Sequence, residues 1–95
     1  HSLDMAARGE LSHDGSDGSD SGERMTRAGY TWQISGENVA AGQPDAEAVV
    51  AAWLSSPGHC ATLMDARYTE TGIAFALAPG KNPAVYWTQD FAAPR

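Results

Sequence analysis

The sequence predicts a layered α+β fold, a small antiparallel sheet covered by helices. Two observations carry this. Through residue 64 the apolar residues recur at helical spacing between glycine and proline breaks. In the last third the period changes to two, and two alternating runs sit either side of a Pro-Gly-Lys-Asn-Pro turn. Helical segments beside a short meander make two kinds of layer sharing one core.

The elements follow in order. Leu3, Ala6, Ala7 and Leu11 lie at helical spacing over residues 1–11, with Gly9 as the stop. Residues 12–22 are small and polar and form a loop, because such side chains cannot fill a core. Glu23–Ala28 is a short helix ended by Gly29. Tyr30–Ile34 leans towards strand, and Ser35-Gly36 then turns the chain into Glu37-Asn38-Val39. Gln43-Pro44-Asp45-Ala46-Glu47 starts a helix: proline suits its first position, and carboxylates suit the positive end of its dipole. Val49, Val50, Trp53 and Leu54 make its apolar stripe. Pro57 ends that helix and opens another, capped by Ser56 and running to Met64. In Thr71–Ala78, Ile73, Phe75 and Leu77 form a bulky face, and Ala74, Ala76 and Ala78 a small one. Val85, Trp87, Gln89 and Phe91 alternate in a second strand that pairs antiparallel with the first. Tyr30–Ile34 or a neighbouring segment supplies the third.

Composition narrows the function. The 95 residues suffice for one domain, 1–95, with a modest core. Six basic residues face twelve acidic ones, a net charge of −6, the wrong sign for a nucleic-acid binder or a module seated on anionic lipid. The longest apolar run, Ala48 to Leu54, is far too short to span a membrane. One cysteine, Cys60, excludes an internal disulfide and a cysteine-rich zinc site, and does not assign a compartment. The opening His1–Arg8 is already helical in pattern with no cap ahead of it, so further helix is expected upstream.

Few side chains suit chemistry. His59 sits in the first turn of the helix capped by Ser56, where the dipole disfavours a cation and holds the imidazole neutral, able to ligate a metal or accept a proton. Glu37 stands among Ile34, Val39, Ala40 and Ala41, so its carboxylate needs partners. His13 opens the polar loop. Asp14, Asp17 and Asp20 recur every third residue, which is not the spacing of an EF-hand loop, and read as a hydrated loop. Cys60 adjoins His59, but neighbouring helical residues point about 100° apart, so it reads as a small hydrophobe. Taken singly, each of these residues has a structural explanation.

In order along the chain they resemble a bacterial-type member of the CAP superfamily (cysteine-rich secretory proteins, antigen 5, pathogenesis-related 1), the SCP domain. The resemblance rests on His1-Ser2-Leu3-Asp4-Met5-Ala6, Ser12-His13-Asp14-Gly15-Ser16-Asp17-Gly18-Ser19, Ala28-Gly29-Tyr30, Gly36-Glu37-Asn38-Val39-Ala40, Val49-Val50-Ala51-Ala52-Trp53, Ser56-Pro57-Gly58-His59, Tyr68-Thr69-Glu70-Thr71-Gly72-Ile73 and Tyr86-Trp87-Thr88-Gln89-Asp90-Phe91. It implies an αβα sandwich, a secreted or cell-surface location and a central cleft lined by two histidines and two acids. Matched position by position, His13, Glu37 and His59 are three of these; the fourth falls on Ser56, so the set is incomplete. The sequence departs also at Cys60, where arginine is usual, and at Asp14, where a small hydroxyl residue is usual. The family's first helix extends upstream of His1. Glu70 matches a glutamate common in bacterial members and is placed outside the cleft.

Two imidazoles and a carboxylate can hold a divalent metal, zinc above others, with water completing the shell. The resemblance therefore implies an extracellular, non-catalytic module whose cleft of His13, Glu37 and His59 binds a divalent metal and a small ligand or envelope partner. A metal- or His/Glu-assisted hydrolase is the second reading, and a scaffold with a vestigial cleft the third.

Overall fold

The computed structural model describes residues 1–95 and contains four helices and one three-stranded sheet. In chain order these are α1 (Ser2–Arg8), α2 (Ser21–Arg27), β1 (Trp32–Ala41), α3 (Ala46–Ser55), α4 (Pro57–Leu63), β2 (Glu70–Leu77) and β3 (Val85–Pro94). The sheet is antiparallel in the order β1-β3-β2, so the last strand lies in the middle. Helices α1 and α2 cover one face. Helices α3 and α4 lie against the other, making the layered α+β sandwich that the sequence predicts.

Local chemistry sets the helix ends. Gly9 stops α1 in the left-handed region, at φ 66°, which its missing Cβ permits. Asp20 caps α2 and Glu23 returns the bond, so the helix begins two residues before the expected Glu23. Asp45 caps α3 by accepting from the Ala48 amide, and Pro44 therefore precedes the helix instead of occupying its first turn. Pro57 opens α4 as expected, although the Ser56 side chain makes no capping bond.

The central correction concerns β1. Ser35-Gly36 is not a turn: one strand runs unbroken through it, paired with β3 from Ile34↔Ala93 to Ala41↔Tyr86. Glycine at 36 answers a packing need. A Cβ there would overlap the Tyr68 hydroxyl, which donates to the Ser35 carbonyl at 3.1 Å, while the Tyr68 ring stacks on Phe91 with centroids 5.6 Å apart.

Strand parity then divides the core. Val39 and Tyr86 pack with Met5 and Ala6 of α1, whereas Ala40, Val85 and Trp87 pack with Val49 and Trp53 of α3. The Trp53 indole N–H donates to the Val39 carbonyl at 3.2 Å, fixing α3 to the sheet edge. Leu54, expected in the stripe, is exposed. On β2 the small face carries Ala74, Ala76 and Gly72 and lets α1 approach so closely that the Ser2 hydroxyl bonds the Ala74 carbonyl. The bulky face of Ile73, Phe75 and Leu77 stays 48–62 % exposed, because α3 packs on Ala40 of β1 and Val85 and Trp87 of β3, and α4 packs on β1.

Candidate functional site

Glu37 points to the α1/α2 side of β1, and its two oxygens have different partners. His13 Nδ1 lies 3.0 Å from Oε1, and Arg24 donates to Oε2 at 2.9 Å. The carboxylate is almost fully enclosed, with 2 % of its side chain exposed, while the His13 ring is 58 % exposed. Three elements thus meet on one acid: the polar loop, α2 and β1. Arg24 ties them further by donating to the carbonyls of Ser19 at 2.7 Å and His13 at 2.9 Å. A buried carboxylate costs several kcal/mol unless paired and bonded, and this arrangement supplies both.

The loop is built by its own aspartates. Asp17 accepts from the Ser19 amide and pairs with Arg27, so its carboxyl lies well below the usual range; the Ser19 bonds are the main cause. Asp20 is the α2 cap, and Asp14 donates its amide to Ser12 Oγ. The Asp17 and Asp20 carboxylates are thus committed to shaping the loop that presents His13. Glu70 sits away from the cleft, accepting from the Tyr30 hydroxyl at 2.6 Å.

His59 is placed differently. Asn38, the neighbour of Glu37, faces the other side of the sheet, and its amide donates to the His59 carbonyl at 3.1 Å. The His59 ring makes no hydrogen bond to His13 or Glu37. No group of three or more His, Cys, Asp or Glu side chains lies placed to hold a metal ion. The zinc-type site expected from His13, Glu37 and His59 is therefore not preassembled. The donor chemistry also disfavours it, because a cation on Glu37 would have to sit beside the Arg24 guanidinium.

Two residues of this site are not singled out by the sequence. Arg24 reads there as one polar residue of a short helix. Asp90 lies directly opposite Glu37 in the β1–β3 ladder. Burial pushes its carboxyl up to about 8, and the adjacent Glu37 carboxylate reinforces the shift. An acid on the strand face that also carries the buried Tyr86 and Ala92 is the available signal; the alternation of Val85, Trp87, Gln89 and Phe91 follows only the opposite face.

The fold agrees with known structures. The CAP family, described as the cysteine-rich secretory protein family, matches residues 1–91, and the chain belongs to it. Among solved structures it is similar to an extracellular protein containing a SCP domain from Bacillus anthracis, with TM-score 0.82 and 33 % identity over 97 % of this chain and 28 % of that one. An outer surface protein of Borrelia burgdorferi shares the fold, with TM-score 0.84, at 18 % identity over 98 % of this chain and 67 % of that one. Bacillus subtilis supplies the uncharacterized protein YkwD, 32 % identical over 73 % of this chain and 25 % of its own length. It also supplies the uncharacterized membrane protein YlbC, 31 % identical over 96 % of this chain and 24 % of its own length. The chain thus spans about a quarter of these two relatives. No helix is long and apolar enough to cross a membrane.

Proposed function

We propose that this chain is an extracellular, non-catalytic recognition module whose contact surface is the cleft presenting His13, with an envelope component as its partner. One observation supports this above others. Glu37 is committed on both oxygens, to His13 and to the Arg24 guanidinium, so it serves to hold a ring in place and not to take protons from a substrate. The extracellular assignment follows the Bacillus anthracis SCP protein, whose description is extracellular. Cosedimentation of the purified chain with bacterial envelope fragments tests the reading. Wild type is expected in the pellet and His13→Ala in the supernatant; equal partition of both would refute it.

A second reading has one observation in its favour. With Nδ1 turned to Glu37, the other ring nitrogen of His13 faces outward, and a histidine oriented by a carboxylate is the arrangement of a general base. Digestion of a peptide library, with Glu37→Gln as control, separates the two. Cleavage that disappears in the control would establish a hydrolase, and the module reading predicts none in either protein.

A further inference from the structure

The outer edge of β1 has a gap at Glu37. Antiparallel neighbours exchange main-chain bonds at every second residue, and Gly42 donates to the Val85 carbonyl at 2.9 Å. In this register, with Glu37 opposite Asp90, the even-numbered residues of β1 turn their main-chain groups to β3, and Ser35, Glu37 and Val39 turn theirs outward. The outward carbonyls on either side are taken: Tyr68 donates to Ser35 at 3.1 Å, and the Trp53 indole donates to Val39 at 3.2 Å. Between them the Glu37 N–H and C=O have no partner in the protein. Water reaches them. Glu37 as a whole is 8 % exposed and its side chain 2 %, so the open part is mostly main chain. Fixed groups border the gap on both faces of the sheet. On one, the His13 ring is seated on the Glu37 carboxylate at 3.0 Å; on the other, Asn38 holds the His59 carbonyl of α4 at 3.1 Å.

We propose that this gap pairs with one residue of an extended peptide, added to the sheet as a short antiparallel strand. The peptide C=O accepts from the Glu37 N–H, and the N–H of the same residue donates to the Glu37 C=O, as in any hydrogen-bonded antiparallel pair. The proposal rests on the cleft reading and gives its partner a chemical class: the peptide part of an envelope component. A hydroxyl carries donor and acceptor on one atom, whereas an extended residue carries them on two atoms at the spacing of a strand, which is what the edge presents. The bordering groups are already held in place, so docking orders little of the protein; the contact is small, so a short peptide binds weakly by itself.

Amide-resolved NMR titration of the wild-type chain with N-acetyl-trialanine dimethylamide tests the proposal; alanine leaves the main chain as the main feature to recognise. A saturable downfield shift of the Glu37 amide proton is expected, with slower hydrogen exchange at that amide. The trilactate analogue, in which ester oxygens replace the three N–H groups, keeps the shape and the carbonyls but cannot donate to the Glu37 C=O. Its affinity should be roughly tenfold lower, the loss expected when one bond is removed and an enclosed acceptor is left unpaired. Both probes act on an unaltered protein, so no folding defect enters the comparison. Equal affinity of the two probes, no saturable change at Glu37, or shifts confined to another surface would each overturn the proposal. Failure here is separable from failure of the cleft reading. Envelope fragments that pellet the wild type and not His13→Ala, with no peptide-induced change at Glu37, would overturn the peptide dock and keep the cleft. Equal partition of both proteins, with the Glu37 shift and the probe difference intact, would support the dock and refute the envelope partner.

Discussion

Replacing Arg24 with leucine tests the buried clamp most severely. The substitution removes the 2.9 Å ion pair to Glu37 and the two bonds that hold the carbonyls of Ser19 and His13. It leaves a carboxylate with 2 % of its side chain exposed beside Asp90, with no cation between them. Breaking one partner of a buried pair costs about 3–5 kcal/mol, since the other charge stays desolvated. A domain of this size has a total stability of about 5–15 kcal/mol, so the loss is a large fraction of it. Urea denaturation at neutral pH should show the midpoint falling accordingly, with a similar slope. The double variant Arg24→Leu, Glu37→Gln should recover part of the loss, because no buried charge is left uncompensated. A loss below about 1 kcal/mol is what solvent-exposed pairs give, and would refute the claim that this acid is enclosed and held.

Other perturbations follow from the same geometry. The raised Asp90 carboxyl holds its proton to higher pH in the folded state than in the unfolded one, where 3.8 is its ordinary value. Its contribution is therefore complete below that value and is lost as pH rises to about 8. Asp90 is partly exposed, so solvent screening reduces the effect to roughly 1–2 kcal/mol, and Asp90→Asn should flatten the decline between pH 4 and 8 by about that amount; parallel stability curves for the two proteins would contradict this. Gly36→Ala should destabilise by about 1–3 kcal/mol through overlap with the Tyr68 hydroxyl, and adding Tyr68→Ala should remove that penalty, as thermal melts would show. Trp53→Phe should cost about 2–4 kcal/mol, from a small cavity and an unsatisfied Val39 carbonyl. Calorimetric titration with zinc should give indistinguishable heats for wild type and His59→Ala, since no three-donor set is preassembled; a saturable heat lost only in the variant would show that the rings close around an ion.

Much of the fold is legible in the sequence because its signals are local. The alternation of residues 71–78 and 85–91, the Ser56-Pro57 helix start and the Gly9 stop all act through neighbouring residues, and the structure keeps them. Ser35-Gly36 misleads because a turn signature and a packing glycine look alike in sequence. What distinguishes them is Tyr68, more than thirty residues further along the chain. Leu54 fails for a related reason: a helix's apolar stripe shows which residues could be buried, while the width of the sheet beneath α3 decides how many are. Within the site, the contact between His13 and Glu37 joins residues that the family resemblance singles out. Arg24 lies outside every segment that carries the resemblance and Asp90 lies in one without being assigned to the cleft, because their importance comes from sheet register and from a loop folded back on α2, neither of which leaves a periodic trace.

The side chain that most directly reports the clamp is His13 itself. An ionised Glu37 can only accept, so Nδ1 must donate and the neutral ring must carry its proton there, leaving Nε2 bare towards solvent. Long-range nitrogen–proton correlation NMR of the imidazole distinguishes the two tautomers. A protonated Nδ1 that reverts to the Nε2–H form in Glu37→Gln is the expected result. A wild-type His13 already in the Nε2–H form would contradict the account.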